Sequence, residues 1–474
     1  MTKLQAIGRN VHELCDFLGH GLLKGFLREL EFLSVVAVAI VALSMNSVAR
    51  EANACPAADG QVVDDPQPAC ANPEEPSQRH GDRARRFAAG QRDPDQAFDD
   101  TQRPWEDRAE GVVRIASFNL ALERREANGL QTELRTGESI QARKLAEIIQ
   151  RVRPDVLLLN EIDRDAIGEN LDLFHKLYLQ VSQNGQPGIN FEHRFFPESN
   201  TGVDSGLDLN RNGVSGEPDD AYGFGRFEGQ YGMAVLSRFP IKTENARTFQ
   251  KFLWRDMPGA RWPKTPVGDD FYSAEIRAVF RLSSKNHVVV PIEVPSGILH
   301  LVAAHPTPPV FDGPEDRNGL RNHDEIRLLA DLLDPSAGAY LVDDQGRRGG
   351  LADDARFVVA GDMNADPKDG DSTNQSIQQL LGHPKINGDI GPRSNGAAQA
   401  AIAQGGINLQ QTGDPAQDTA DFNDDTTGNL RVDYVLPSAN LQCVGSGVFW
   451  PNPTLPESEL ISASDHRLVW IDIR

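Results

Sequence analysis

Cysteine is scarce in this chain, with only Cys15, Cys55, Cys70 and Cys443 among 474 residues. No CxxC pair or Cys/His cluster occurs, which excludes a zinc module of the usual ligand spacing. Cys55 and Cys70 are close enough in sequence to pair in an oxidising compartment. The loop they would close is worth about 3 kcal/mol on a chain-entropy model, and Cys443 would stay free. Positive charge is also short: 47 Lys and Arg face 69 Asp and Glu, a formal net charge of -22. Such a field repels polyanions at long range and argues against a protein that coats nucleic acid. It leaves a phosphate ligand open, because a bound cation inverts the local sign inside a cleft. Long apolar runs are missing apart from Phe32–Leu43. That run is too short for a comfortable bilayer span and has the length of a signal-peptide core. No internal repeat is found.

What is present reads as a soluble globular chain, 39% hydrophobic and 24% charged. Small residues after the apolar run, Ser47-Val48-Ala49 and Ala52-Asn53-Ala54, are candidate cleavage sites. The segment before it is long, and its basic residues Lys3, Arg9, Lys24 and Arg28 are matched by acidic ones. Residues 1–54 are therefore expected to be a signal peptide or an N-terminal anchor, with the protein secreted or periplasmic. Residues 55–110, rich in Pro, Asp, Gln and Arg, are expected to form a flexible linker or arm. Residues 111–474 are expected to form the folded domain.

Order begins near Val112. Val113–Phe118 alternates apolar and polar side chains like a half-buried strand, with Asn119 at its end. Ser139 to Arg153 reads as a helix with Ala142, Leu145, Ala146, Ile149 and Val152 on one face, stopped by Pro154. Asp155–Leu159 is a buried strand that delivers Glu161 just past its end. Further strands are predicted over 231–236, 271–282, 287–294, 297–304, 357–360, 431–436 and 467–473, with a helix over Asp324–Leu333. Many strands with a few helices between them predict an α/β layered sandwich. Polar residues recur where strands give way to loops, which is where such sheets place a site.

Taken singly these residues are ambiguous. Asn119 suits a turn, and His305 suits a hydrogen-bonded core. Glu161 after four apolar residues and Asn160 is more telling, since a carboxylate there must be solvated, paired or cation-bound. In Gly361-Asp362-Met363-Asn364-Ala365-Asp366, Asp362 and Asn364 point to one side of an extended chain. One can polarise a water while the other holds a phosphate oxygen; a plain Asx-turn is the other reading. Ser464-Asp465-His466 before an apolar strand similarly offers a metal ligand and a base or oxyanion donor.

As an ordered set, Ser117-Phe118-Asn119, Leu159-Asn160-Glu161, Gly232–Ile241, Ala304-His305, Gly361–Asp366, Asp433–Leu436 and Ser464–His466 resemble the endonuclease/exonuclease/phosphatase superfamily. The resemblance implies a deoxyribonuclease-I-like four-layered α/β/β/α sandwich with the site at one edge of two packed sheets. It implies Mg²⁺ or Mn²⁺ bound chiefly by Glu161, with Asn119 and Asp465. It also implies a His466 oriented by Asp433, a water handled by Asp362, and a phosphate oxygen held by Asn364. His305 would bind phosphate or protonate the leaving oxygen. Independently of the family, phosphoester hydrolysis needs charge neutralisation, an in-line water and a leaving-group acid. Arg277 is a further candidate phosphate clamp, as easily a solvated surface residue.

Insertions surround this set. Asp208, Asn210, Asn212, Gly213 and Asp219 approximate a calcium-loop pattern that would take Ca²⁺; a polar surface loop is the other reading. The Pro-rich stretch 305–317 is expected to wall the cleft, with Arg317, Arg321 and His323 in reach of substrate. Residues 387–428 form a Gly/Ala/Gln-rich loop of unassigned role. The leading expectation is a secreted metal-dependent phosphodiesterase or nuclease acting on nucleic acid. The alternatives are a phosphomonoesterase acting on small organic phosphates and a catalytically silent phosphate-binding or interaction module.

Overall fold

A computed structural model describes residues 103–108 and 110–474. The apolar run, the candidate cleavage sites, Cys55, Cys70 and most of the expected arm lie outside the described residues. Among the described residues, no helix is long and apolar enough to cross a membrane.

The described residues form thirteen strands: β1 (Val113–Leu122), β2 (Val156–Ile162), β3 (His193–Phe195), β4 (Gly232–Ser237), β5 (Arg247–Thr248), β6 (His287–Val294), β7 (Gly297–Ala304), β8 (Phe357–Asp362), β9 (Ala420–Asp421), β10 (Asn429–Leu430), β11 (Asp433–Pro437), β12 (Cys443–Val448) and β13 (Val469–Ile473). Their α-helices are α1 (Gly129–Leu134), α2 (Ile140–Val152), α3 (Glu169–Phe174), α4 (Ala274–Val279), α5 (Arg317–Leu332), α6 (Gln378–Leu381) and α7 (Asn395–Gln404). One sheet has the order β12-β13-β1-β2-β4-β3 and the other β11-β8-β7-β6-β5, with β9 and β10 a separate ribbon.

Side-chain alternation builds the layers. Val156 and Leu158 of β2 join Val290, Leu301, Val358 and Val435 of the other sheet in one core. Leu157 and Leu159 point the opposite way, onto Ala142, Leu145 and Ile149 of α2. On the far side, Val302, Val359 and Leu436 pack beneath Ile326 and Leu329 of α5. The result is the α/β/β/α sandwich, held mainly by burial of these alternating faces.

Local signals explain most boundaries. Ser139 caps α2 by accepting from Ala142 N, and Arg153 ends it in the left-handed region before Pro154. The predicted strand over 271–282 is a correction: it holds helix α4, capped by Ser273, whose side chain accepts from Ile276 N. A helix of six residues is too short to show helical periodicity, and Tyr272, Ala274, Ile276 and Ala278 alternating with Ser273, Glu275 and Arg277 imitate a strand. The end of the expected arm is also corrected. Trp105 is 2% exposed and tilts against Phe449 at 4.7 Å, while Arg103 pairs with Glu457 at 3.0 Å.

Candidate active site

Parallel pairing of β1 with β2 and of β7 with β8, and antiparallel pairing of β13, β4 and β11 beside them, bring one edge of each sheet together. Asn119 does not end β1, as expected, but lies within it. The β1–β2 register shifts between Asn119 and Leu122, and the β2–β4 register shifts between Asn160 and Ile162. Glu161 is the extra residue of the second irregularity and adopts a left-handed φ of 56°. A bulge re-aims a side chain, and a non-glycine residue at positive φ persists only where its surroundings hold it there. At Gly361, with φ 147°, a Cβ would collide with the Ala304 carbonyl oxygen, so glycine is what lets β8 carry Asp362 against His305.

Asp362 is the centre of the cluster. It is 1% exposed, and its Oδ1 accepts from Asn364 N at 2.9 Å. Its Oδ2 accepts from Asn119 Nδ2 at 3.1 Å and lies 3.3 Å from His305 Nε2 and 3.6 Å from His466 Nε2. Asp433 pairs in register with Asp362, and its Oδ2 lies 2.8 Å from His466 Nδ1. Asn364, at φ 49°, donates from Nδ2 to Pro306 O at 3.1 Å. The expected residues Asn119, Glu161, His305, Asp362, Asn364, Asp433 and His466 are thus brought together.

The two imidazoles are pushed apart in proton affinity. Desolvation, with Lys285 and His466 nearby, holds His305 well below its ordinary value. Desolvation would also lower His466, but the carboxylates of Asp433 and Asp362 raise it well above its ordinary value. These shifts favour the neutral form of His305 and the cationic form of His466. Pairs driven apart in this way assign acid and base roles. Desolvation pushes the Glu161 carboxyl up to about 7 despite His466 and Lys285, and its Oε1 lies 3.8 Å from His305 Nε2.

The oxygen donors fit a hard divalent cation. Among the described residues, the half-buried Glu161 carboxylate has no hydrogen bond and a buried oxygen of Glu123, Oε2, has no partner. Asp465 is exposed, and its carboxylate also has no hydrogen-bond partner among the described residues. Carboxylate and amide oxygens are what Mg²⁺ and Mn²⁺ take. The ligand atoms of Glu161, His305 and Asp362 lie within 4.8 Å of one another, as do those of Asp362, Asp433 and His466. Asp465 belongs to neither group; it acts on His466 and on Glu123 through its charge.

Other expected residues lie elsewhere. Arg277 pairs with Asp270 at 2.9 Å and sits over the Trp262 ring, so it is no part of this cluster. Arg321 is buried and donates to the Leu282, Tyr222 and Arg281 carbonyls, and His323 lies 3.2 Å from Asp324, so both serve the fold. Arg317 pairs with Glu315. In the calcium-like loop, Asp208 accepts from Asn212 N and Gly213 N, and Asn210 and Asn212 make Asx-turns. Asp219 is exposed; Asp220 is the acid that turns inward, accepting from Leu209 N at 2.8 Å.

Three contributors escaped sequence reasoning. Lys285 is buried, its Nζ 3.5 Å from Pro306 O, and its charge acts on Glu161 and Asp362. The available signal was its position just before β6, whose first residue pairs with Ala304. Glu123 follows β1 directly, beyond the irregularity. Thr419 donates to Asp433 Oδ2 at 2.9 Å from a stretch with no recognisable motif.

The Endonuclease/Exonuclease/phosphatase family model matches residues 116–466. Similar solved structures include an endonuclease/exonuclease/phosphatase from Beutenbergia cavernae DSM 12333, 18% identical over 77% of this chain and 71% of that one, with a TM-score of 0.42. A family protein from Leptotrichia buccalis C-1013-b is 14% identical over 76% of this chain and 99% of its own, with a TM-score of 0.40. Sphingomyelinase C from Streptomyces griseocarneus is 14% identical over 77% and 99%, with a TM-score of 0.38. No curated protein matches the chain. These structures are too distant to add weight, and the family match carries the assignment. From its first catalytic strand to His466, this chain belongs to the endonuclease/exonuclease/phosphatase family and is a metal-dependent phosphoester hydrolase.

Proposed function

We propose that the chain is a secreted phosphodiesterase that directs a water in line at phosphorus. The observation that carries this reading is Asp362 Oδ2 set between His305 Nε2 at 3.3 Å and His466 Nε2 at 3.6 Å; burial lowers the proton affinity of the first imidazole, and the Asp433 and Asp362 carboxylates raise that of the second. In this reading Asp362 orients the water and accepts its proton. His466, oriented by Asp433, presents a proton to the phosphoryl or leaving oxygen. His305, neutral, binds and orients rather than acting as the acid. Asn364 and Lys285 face the phosphate oxygens. Glu161, Asp465 and Asn119, with Glu123, would hold Mg²⁺ or Mn²⁺, which when bound supplies charge neutralisation at the phosphoryl group.

A diester is favoured over a monoester by the shortage of fixed cations. Among the described residues the cationic groups of the cluster are His466 and Lys285, whose proton affinity burial lowers, while neighbouring Arg467 is turned to Asp421 at 2.8 Å. A monoester dianion asks for more compensation than a diester monoanion. Nucleic acid is one such diester, although the net charge of -22 disfavours long polyanions. Secretion is supported by the run Phe32–Leu43 and the small residues after it. N-terminal sequencing of protein recovered from culture fluid tests that part; an intact N-terminus inside the cytoplasm would contradict it.

The substrate test compares kcat/KM for bis(p-nitrophenyl) phosphate and p-nitrophenyl phosphate in Mg²⁺ and in Mn²⁺, with plasmid DNA alongside. The diester is expected to be preferred. Preference for the monoester would replace the reading with a phosphomonoesterase. Inactivity on all three would overturn it.

A further inference from the structure

The stretch 387–428 lays an extended segment along the residues that carry His466. Arg467 N donates to Thr419 O at 2.7 Å, Asp421 N donates to Asp465 O at 2.8 Å, and Ala420 forms an antiparallel bridge with His466. Phe422 meets the His466 ring edge-on, with centroids 5.7 Å apart. The backbone of the catalytic histidine is therefore paired to an insertion rather than left as a free loop.

Thr419 also reaches through this segment to Asp433. It is 1% exposed. Its hydroxyl accepts from Val432 N at 3.0 Å and from Asp433 N at 2.9 Å, and it lies 2.9 Å from Asp433 Oδ2. A hydroxyl has one proton and two lone pairs. Two N–H groups take the lone pairs, so the proton points to Oδ2; the alternative acceptor, Leu430 O, is at 3.5 Å. Oδ2 then receives Thr419 Oγ1 and His466 Nδ1, while Asp433 Oδ1 is buried without a partner among the described residues. With the threonine proton on Oδ2, the hydrogen of the Asp433–His466 contact belongs to Nδ1, and Nε2 is left facing Asp362. Without the hydroxyl, the His466 Nδ1 contact alone holds Oδ2, and the carboxylate loses the second bond that fixes its rotation.

We propose that Thr419 is a positioning residue of this hydrolase, holding the Asp433 carboxylate in the rotamer that orients His466. The inference rests on the catalytic role of His466 proposed above. The test is a mutant cycle on bis(p-nitrophenyl) phosphate with Thr419→Val, Thr419→Ser and Asp433→Asn. Thr419→Val is expected to lower kcat by about 10- to 100-fold with KM within about twofold, and Thr419→Ser to stay within about threefold of the parent. In an Asp433→Asn background, Thr419→Val should cost nothing further, because it acts through Asp433. Full additivity, an unchanged kcat, or a serine variant as poor as valine would overturn the proposal. Thr419→Cys, with its weak thiol donor, replaces the valine variant if that one does not fold. A readout independent of turnover is the His466 Nδ1–H proton resonance in ¹⁵N-histidine-labelled protein. It is expected downfield in the parent and serine variant and shifted upfield or lost in the valine variant. An unmoved resonance overturns the role of Thr419 even if no diester is cleaved, in which case the hydrolase reading fails separately.

Discussion

Asp362→Asn isolates the charge at the centre of the site. Asparagine keeps the shape of the side chain but cannot satisfy both neighbours. Asn364 N donates to one oxygen of Asp362 and Asn119 Nδ2 to the other. Whichever way the new amide is turned, one N–H faces another N–H, costing about 1–3 kcal/mol of stability. The larger effect falls on His466. At the observed 3.6 Å the carboxylate–imidazolium attraction is about 4.6 kcal/mol for an effective dielectric near 20. As an upper bound, losing that energy lowers the proton affinity of His466 by roughly 2,000-fold, which takes the proton it would present. The same substitution removes the proton acceptor for the water. The assay is initial-rate kinetics on bis(p-nitrophenyl) phosphate beside a thermal melt. The expected result is a kcat reduced by two to three orders of magnitude, roughly, with a single cooperative melt at slightly lower temperature. A folded Asp362→Asn enzyme with nearly parental kcat would refute the reasoning.

Other sites give independent tests. Glu161→Gln is expected to weaken the Mg²⁺ dependence of activity by at least about tenfold, read by metal titration and by calorimetry; unchanged metal affinity would remove Glu161 from the ligand set. Arg114 is buried, paired in two bonds with Asp472 at 2.7 and 2.8 Å and stacked on Trp470 at 4.0 Å. Arg114→Met strands the Asp472 carboxylate and should cost about 3–5 kcal/mol in urea unfolding, much of it recovered by adding Asp472→Leu. His287 is buried between Ser283 Oγ at 2.6 Å and Glu325 O at 2.8 Å, and desolvation lowers its proton affinity below the ordinary 6.5. Its stabilising contribution is therefore fully present above the unfolded value and is lost as pH falls from there through the lower folded value. The stability gap between the parent and His287→Gln should narrow as pH falls from about 7.5 to about 5, and a constant gap would contradict this.

The layers and most of the site were legible because they depend on alternation and on strand ends. Val156, Leu158 and their outward neighbours Leu157 and Leu159 reveal a strand covered on both faces, and Glu161 stands just beyond them. The irregularity that re-aims Glu161 was hidden, since one extra residue leaves no mark in an apolar run. Arg277 failed for the opposite reason: an arginine in an apparent strand looked free, while its pairing with Asp270 and Trp262 requires the fold. Trp105 looked like part of a polar arm because its neighbours are polar, although one buried indole with Arg103–Glu457 beside it is enough to anchor the segment. Lys285 was inconspicuous because a loop lysine is ordinary until it is buried next to carboxylates. Thr419 lay beyond reach because its value comes from a single hydroxyl placed by tertiary contacts with Val432, Asp433 and Arg467.

Hydrolysis of bis(p-nitrophenyl) phosphate in ¹⁸O-water, with Mg²⁺ and then with excess chelator, tests the central claim most directly. The site predicts metal-dependent turnover that places one ¹⁸O in each p-nitrophenyl phosphate released, with turnover abolished by chelation. Turnover that persists under chelation, product without ¹⁸O, or no turnover with any of Mg²⁺, Mn²⁺ and Ca²⁺ would contradict it.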